Sequence, residues 1–236
     1  MFMSELGNFK YTGLAELEKL ESNLINYNTF IVSKFIKHAS GRKHVLDFGA
    51  GVGTLSKIYT NLDPKVKLFC VELDRTQLAL ISDRRFESAE SLNDDSYFEY
   101  IFTSNVLEHI EDDSLALKTL FKHLTPDGKL GIFVPANQLV YSHIDKKLAH
   151  FRRYSKTDLV NKVMNAGFKI DYCHYVDSIG LIAWLFAKVF KLDFSKDGSN
   201  LLKIYDKYIW PLSRLLDNLG FKYLFGKNLL LLASKN

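Results

Sequence analysis

An acidic residue and three alternating glycines follow a short apolar run near residue 50: Asp47, Gly49, Gly51 and Gly53. Glycine lets the backbone turn tightly and approach a ligand closely, and a helix that starts after the loop presents free N–H groups. The spacing departs from the pyrophosphate fingerprint Gly-x-Gly-x-x-Gly, whose third glycine would fall at Thr54. A carboxylate at Asp47 repels phosphate, so the loop predicts a ligand that carries an ammonium group or hydroxyls.

A second acidic residue, Glu72, ends the next apolar run, in the string Val71–Asp74. A carboxylate at the end of a second strand can accept hydrogen bonds from both hydroxyls of a ribose. The plainer interpretation is a glycine-rich turn followed by a solvated glutamate. The interval between the loop and Glu72 favours a nucleoside site that holds no phosphates.

These features and two further strings resemble the class I S-adenosylmethionine-dependent methyltransferases, and most closely the methyltransferase type 11/12 group. The further strings are SNVLEHI at Ser104–Ile110 and LTPDGKL at Leu124–Leu130. The resemblance covers roughly Tyr27 to Phe168, and Leu229–Ala233 is similar to the terminal strand of that family. It implies S-adenosyl-L-methionine as cofactor and S-adenosyl-L-homocysteine as product.

The resemblance also implies a set of cofactor-binding residues. In many relatives an aspartate accepts a hydrogen bond from the adenine amino group at the position where this chain has Ser88. The Ser88 hydroxyl could accept in its place, with Glu90 as the alternative acceptor, and the Ala89 N–H could donate to a ring nitrogen of the adenine. Tyr27 either closes over the methionine end of the cofactor or packs in the core. The predicted set is Tyr27, Asp47, Gly49, Ala50, Gly51, Gly53, Glu72, Leu73, Ser88, Ala89, Asn105 and Val106.

The densest cluster of polar and aromatic side chains lies between residues 143 and 155. Histidine titrates near neutral pH, so histidines here are candidate general bases, and arginines could hold an anionic acceptor. The candidate bases are His109, His143 and His150, and the candidate acceptor-binding residues are Arg152, Arg153 and Tyr154.

The same cluster has a purely structural interpretation, which the sequence leaves open. In it, Arg153 pairs with Asp145, and Ser155 caps a helix that starts at Lys156. The spacing of the histidines and aspartates matches no common ligand motif, so no metal is predicted.

The elements that must position these residues alternate between strand and helix along most of the chain. This order predicts an α/β fold: a Rossmann-like, doubly wound, seven-stranded and mostly parallel sheet with an antiparallel terminal strand. We expect a single domain, 1–236, with N-terminal helices in 1–43, the cofactor-binding core in 44–178, a helical lid in 179–220 and the final strand in 221–236. That last segment has the form of an edge strand.

Two stretches exceed a minimal α/β unit, namely Pro135–Ser155 and Ile179–Gly220. Long insertions at the strand ends of such sheets usually carry specificity. Within the second stretch, Ile179–Phe190 is apolar almost all round but shorter than the about 20 residues that cross a bilayer. It predicts either helices packed over the sheet, or an apolar lid that admits a lipid-like acceptor or rests on a membrane surface.

Composition excludes several classes of protein. Of 236 residues, 47% are hydrophobic and 25% charged, so the chain is not mainly disordered, and a net charge of +4 does not by itself indicate nucleic acid. Two cysteines exclude a disulfide framework. Residues 1–10 lack a signal-peptide pattern, so we expect a cytoplasmic protein, with peripheral membrane contact left open.

The function predicted from these patterns is methyl transfer to a small-molecule, saccharide or lipid-like acceptor, at oxygen. An RNA methyltransferase is an alternative. Base-modifying relatives often carry Asn/Asp-Pro-Pro-Tyr/Phe where this chain reads Thr103–Val106, and no long basic arm is present, so nucleic acid is not the expected partner. The third alternative is a cofactor-binding module without turnover.

Overall fold

The computed structural model describes residues 23–81, 83, 85–93, 95–190 and 198–235. Residues 1–22 of the region 1–43, which is predicted to hold the N-terminal helices, lie outside these residues.

A single seven-stranded sheet has the order β3-β2-β1-β4-β5-β7-β6, in which only β7 runs antiparallel to its neighbours. The doubly wound sheet with an antiparallel terminal strand is therefore confirmed. Strand order reverses between β1 and β4, and ligands bind beyond the carboxyl ends of the strands at such a point. The strands are β1 His44–Phe48, β2 Lys67–Val71, β3 Phe86–Ala89, β4 Phe98–Ser104, β5 Leu124–Pro135, β6 Lys169–Val176 and β7 Asn228–Ser234.

Helices follow most strands and cover both faces of the sheet. Several begin at polar caps: the Asp74 carboxylate accepts hydrogen bonds from the N–H groups of Thr76 and Gln77. The helices of the described chain are α1 Ile25–Ala39, α2 Thr54–Leu62, α3 Arg75–Leu80, α4 Asp113–Lys122, α5 His143–Lys147, α6 Lys156–Asn165, α7 Ser178–Phe190, α8 Gly198–Ile204 and α9 Trp210–Asn218. Short 3₁₀ turns span Leu107–His109, Gln138–Val140 and Phe221–Tyr223, and one π turn spans Tyr205–Ile209.

The core lies in two apolar layers, one on each face of the sheet, as β7 shows most directly. Leu229 and Leu231 belong to one layer, whereas Leu230 and Leu232 belong to the other. Alternate side chains of a strand point to opposite faces, so a run of leucines is buried only where both faces are covered.

The expectation that residues 221–236 form an edge strand is wrong. The strand is β7, Asn228–Ser234, and it pairs with β5 on one side and β6 on the other. The edges of the sheet are β3 and β6. The physical reason is the burial of the leucine run on both faces, which suits an interior strand.

Buried carboxylates anchor the helices between β6 and β7 to the rest of the fold. Asp217 accepts a hydrogen bond from the Asp177 N–H, with 2.8 Å between N and Oδ2, just after β6. Asp206 accepts hydrogen bonds from the N–H groups of Asn26 and Tyr27, both at 2.9 Å, in the first turn of α1. Within the described residues, the helices are too short or too polar to span a membrane.

Candidate functional site

A cavity of about 660 Å³ opens at the carboxyl ends of the central strands. The glycine loop and Glu72 form one part of its wall, and the segment after β4, His150 and Trp184 form another part. This volume falls in the ordinary range of small-molecule sites. Both motifs that the sequence singled out therefore face one space.

The glycine loop has a backbone that other residues would strain. Gly49, Gly51 and Gly53 have φ of 78°, 57° and 80°, in the left-handed region. A Cβ on Gly49 would lie 2.3 Å from Cγ2 of Val106, so a side chain there would also collide with the segment after β4. The Gly49 N–H donates to the Val71 carbonyl at 2.8 Å, which holds the loop against β2.

Two carboxylates line the cavity together with the glycine loop. Asp47 is buried in β1 and accepts a hydrogen bond from the Ser56 hydroxyl, at 2.6 Å. Glu72 accepts from the Gly51 N–H at 2.8 Å and from the Asp74 N–H at 2.9 Å. Burial raises the pKa of the Glu72 carboxyl, and these backbone hydrogen bonds oppose the rise. Carboxylate acceptors in this position suit hydroxyl and ammonium donors on a ligand.

Tyr27 packs in the core, which is one of the two alternatives that the sequence left open. Its hydroxyl accepts a hydrogen bond from the Asn228 side-chain amide, and its ring packs edge-on against Trp210, 4.5 Å between centroids. It also lines the cavity, as do Asn28 of α1 and Leu24 just before that helix; its contact with the methionine end of the cofactor stays a prediction. Burial raises the pKa of Tyr27 well above its usual range, so the phenol stays neutral.

Another part of the cavity wall holds a glutamate and two histidines. The His109 and His150 rings meet edge to face, 4.7 Å between centroids, and Oε1 of Glu108 lies 4.0 Å from Nε2 of His150. Burial raises the pKa of the Glu108 carboxyl to about 7. Burial, with His150 nearby, lowers the pKa of His109 to about 3, so this imidazole is neutral at physiological pH.

Asp145 orients His150 from behind. Its Oδ1 lies 3.0 Å from Nδ1 of His150 and 2.7 Å from Nε of Arg153. Burial opposes ionisation of Asp145, but the His150 hydrogen bond and the Arg153 guanidinium hold its pKa below the ordinary value. Arg153 lies in turn over the Trp184 ring, 4.5 Å from the centroid.

The three residues predicted to bind the acceptor make structural interactions instead. Arg153 is buried against Asp145, Arg152 pairs with Asp113 at 2.9 Å, and the Tyr154 hydroxyl donates to Asp113 at 2.8 Å. The structural interpretation is thus confirmed, including the cap, because the Ser155 hydroxyl accepts from the Asp158 N–H. The two arginines that the sequence suggested for binding an anionic acceptor are therefore paired with carboxylates of this chain.

The structure brings most predicted site residues together, but not all of them. Ser88 and Ala89 lie on the edge strand β3, outside the wall of the cavity, and Ser88 is exposed; the adenine contact assigned to them stays a prediction. His143 is exposed at the start of α5, outside the cavity. Predicted residues on the cavity wall are Tyr27, Asp47, Gly49, Ala50, Gly51, Glu72, Leu73, Asn105, Val106, His109, His150 and Arg153, whereas Gly53, Ser88, Ala89, His143, Arg152 and Tyr154 lie outside it.

Some cavity residues were missed from the sequence. Glu108 stands in the string SNVLEHI, but a glutamate beside an apolar residue gives no sign that it will be buried. Trp184 lies in the apolar run of α7, and Gln77 lies on the buried side of α3. The signal for Trp184 was the long insertion itself, which was predicted to form a wall over the site.

Comparison with known proteins agrees with this geometry. The sequence model of a methyltransferase domain family matches residues 22–172. An uncharacterised protein of Synechococcus sp. is 30% identical over 109 residues, which are 41% of this chain and 26% of that protein. The match thus spans about a quarter of the curated relative's length.

Solved structures share the fold at low identity. A chain from the Haloferax volcanii complex of the Trm112 methyltransferase activator with a candidate methyltransferase superposes with a TM-score of 0.65 at 12% identity, over 96% of this chain and 99% of that one. Phosphoethanolamine N-methyltransferase 2 of Haemonchus contortus, with S-adenosyl-L-methionine, gives 0.63 at 18%, over 100% of this chain and 60% of that one. A SAM-dependent methyltransferase of Archaeoglobus fulgidus gives 0.59 at 16%, over 88% and 92%.

The family model covers more than half of the chain, and the acidic-glycine loop and Glu72 lie where the resemblance placed them. S-adenosyl-L-methionine is the cofactor that these features fit, since the loop offers carboxylates and backbone N–H groups but no cation for phosphate. The chain therefore belongs to the methyltransferase domain family.

Proposed function

We propose that this methyltransferase acts on a hydroxyl oxygen of a small, lipid-like acceptor. The observation that carries the proposal is the cavity itself, whose wall combines a cofactor-type loop with a buried glutamate, Glu108, and the half-buried His109, His150 and Trp184. The apolar lining would hold the body of such an acceptor, and the polar groups would receive its hydroxyl.

The part of the wall around the glycine loop would hold the nucleoside and methionine parts of the cofactor through groups already described. Glu72 would accept hydrogen bonds from the ribose hydroxyls, and Asp47 would attract the ammonium group. The open backbone at Gly49 and Gly51 would allow close approach. S-adenosylmethionine supplies a methyl group on a sulfonium, which is a strong electrophile, so the chain's main tasks are to align the acceptor and to accept its proton.

His150 is the residue best placed to accept that proton. Its Nδ1 faces the Asp145 carboxylate, so Nε2 is directed toward Glu108 and the cavity. An imidazole oriented by a carboxylate in this way is a common general base. His109, which is neutral and adjacent, would complete the polar wall.

The helical insertion supports a lipid-like body for the acceptor. Trp184 of α7 lines the cavity, and the same helix exposes Ile182 (60%) and Val189 (71%) to solvent. Exposed apolar side chains continue on the helices that follow: Leu201, Ile204, Tyr208, Leu212, Leu215, Leu219, Tyr223 and Leu224. An apolar surface that leads to the wall of the cavity would let an amphiphile enter from a membrane.

Charge on this surface favours an anionic membrane. Between residues 198 and 224, both acidic side chains, Asp206 and Asp217, are buried and hydrogen-bonded. The exposed charged side chains of this segment are basic: Lys203, Lys207 and Arg214. Basic side chains among exposed apolar ones are the pattern of helices that lie in a lipid interface.

Methyl transfer from labelled cofactor tests the acceptor class. The protein is incubated with methyl-labelled S-adenosylmethionine and, separately, with a lipid extract, a water-soluble metabolite fraction and total RNA. We expect label in the lipid fraction, and none with Glu72→Ala. Label confined to RNA or to the aqueous fraction would overturn the acceptor class while leaving the methyltransferase assignment in place.

Sedimentation with vesicles tests the membrane contact. We expect the protein to pellet with vesicles of phosphatidylcholine and phosphatidylglycerol more than with phosphatidylcholine alone. The double variant Ile182→Ser, Val189→Ser should stay in the supernatant. Met164→Ser is the matched control, because Met164 is also exposed (55%) but lies on α6. Equal pelleting of both variants would contradict the proposed surface.

A further inference from the structure

We propose that Glu108, His109 and His150 bind one divalent transition-metal ion at the wall of the cavity. One carboxylate oxygen and one nitrogen from each imidazole all lie within 4.8 Å of one another. No metal motif is visible along the chain because His150 is remote in sequence from Glu108 and His109, so the fold alone brings the three residues together.

Glu108 is the first argument for a cation. Its side chain is fully buried, at 0% exposure, and lines the cavity. Neither carboxylate oxygen has a hydrogen-bond partner among the described residues. Buried polar groups are almost always paired, and a buried carboxylate without donors is costly, so Glu108 points to a positively charged ligand.

His150 is the second argument, because its orientation is that of a metal ligand. Nδ1 lies 3.0 Å from Asp145 Oδ1, which makes Nδ1 the protonated nitrogen and leaves a lone pair on Nε2. That lone pair faces Oε1 of Glu108 at 4.0 Å, too far for a hydrogen bond. Metal-bound histidines usually donate their other N–H to a carboxylate in this way.

The backbone holds the two sides of the cluster in register. The Phe151 N–H donates to the Glu108 carbonyl at 2.8 Å, so the residue after His150 is tied to Glu108 itself. Zinc binds imidazole nitrogen at about 2.0–2.1 Å and carboxylate oxygen at about 2.0–2.2 Å, so two ligand atoms of one ion lie at most about 4.3 Å apart. The ligand atoms of the cluster lie within 4.8 Å of one another, which is about 0.5 Å more than that limit. The widest separation would therefore shorten by about 0.5 Å when an ion binds.

The ligand set indicates which ion would bind. Two imidazoles and one carboxylate suit Mn²⁺, Fe²⁺, Co²⁺ or Zn²⁺ better than Mg²⁺ or Ca²⁺, which prefer oxygen. Three protein ligands leave coordination positions open to the cavity. If the proposed function holds, an acceptor hydroxyl bound at such a position would lose its proton to solvent water more readily, and His150 would accept that proton only in the metal-free protein. Metal binding itself does not depend on that function.

Titration of the metal-free full chain with Mn²⁺ tests the proposal, because the six-line electron paramagnetic resonance signal of free Mn²⁺ disappears on binding. We expect one tightly bound Mn²⁺ per chain, displaced by Zn²⁺. Glu108→Gln and His150→Ala should each weaken binding by at least about tenfold, in line with the loss seen even for supporting residues of metal sites.

Two matched controls accompany these variants. Glu111→Gln removes a carboxylate that lines the same cavity, and His143→Ala removes an exposed histidine nearby, so both should bind Mn²⁺ like the wild type. S-adenosylhomocysteine binding shows that each variant is folded. Failure of the wild type to bind Mn²⁺ or Zn²⁺, or unchanged binding by Glu108→Gln and His150→Ala, would overturn the metal site. Loss of methyl transfer with intact Mn²⁺ binding would count only against the proposed function.

Discussion

The Glu72 carboxylate accepts a hydrogen bond from the Gly51 N–H, with 2.8 Å between Oε2 and N. The acidic residue that follows β2 is thereby tied to the glycine loop that follows β1. These strands are parallel neighbours, with Phe48 opposite Val71, so their carboxyl ends deliver both motifs to the same edge of the sheet. A ligand at this edge contacts the loop and the carboxylate together.

We expect Glu72→Ala to weaken S-adenosylmethionine binding by at least about tenfold. A hydrogen bond to a charged group contributes about 1.5–3 kcal/mol, and two ribose hydroxyls would lose their acceptor. Calorimetry measures the change. Glu87→Ala is the control, because Glu87 is exposed on β3 and does not line the cavity. Wild-type affinity of Glu72→Ala would show that the carboxylate holds only the loop.

Gly49→Ala should lower the free energy of unfolding by about 2–5 kcal/mol, since it adds a left-handed penalty and an overpacking penalty. The collision with Val106 is the source of the second term. Gly41→Ala separates the terms: Gly41 also has positive φ, 84°, but nothing lies within 4 Å of its Cβ position. We expect about 1–2 kcal/mol there by denaturant unfolding. Equal losses for both variants would argue against the close approach.

Gly51→Val should abolish cofactor binding, because the side chain would fill the space beside Glu72 at a residue whose φ is 57°. Binding of S-adenosylhomocysteine and of NAD, both followed by calorimetry, are the measurements. The wild type should bind the former and not the latter. Binding of NAD alone by the wild type would contradict the interpretation of the whole loop.

Arg153→Met should destabilise the protein by about 3–5 kcal/mol, since it leaves Asp145 buried without its cation. Arg75→Met is the control, because Arg75 makes an exposed ion pair with Glu90 and should cost less than about 1 kcal/mol. Thermal and denaturant unfolding report both values. If the Arg153 variant has normal stability but a raised KM, the structural role is contradicted and the predicted role of Arg153 in acceptor binding is supported.

His150→Ala should slow methyl transfer while S-adenosylhomocysteine binding stays near wild type, because His150 contacts Asp145 and Glu108, whereas Glu72 is hydrogen-bonded to the glycine loop. His143→Ala should alter neither. The two measurements are made separately on each variant. If His150→Ala transfers methyl groups at the normal rate, alignment of the acceptor alone is sufficient for catalysis.

The glycine-loop part of the site could be predicted from sequence because its determinants are local. Asp47, Gly49 and Gly51 lie in one strand-loop segment, and the period-two and helical patterns around them identify the parallel sheet. Glu72 follows the adjacent strand, so parallel pairing alone brings it to the loop. The adenine contact at Ser88 stays a prediction, because Ser88 lies on the edge strand β3 outside the wall of the cavity.

The part of the site around Glu108 and His150 was decided by tertiary structure. Glu108 and His150 meet because a backbone hydrogen bond joins Phe151 to Glu108, and no sequence spacing encodes that contact. Arg152 and Arg153 are neighbours in an irregular loop, where no periodicity predicts which guanidinium is buried. In the folded chain Arg153 pairs with Asp145, and Arg152 pairs with Asp113.

Residue types and their order along the chain determined the family and the cofactor loop, because strand-loop-helix geometry is local. Which polar groups are buried together, and therefore what chemistry faces the acceptor, followed from long-range packing alone.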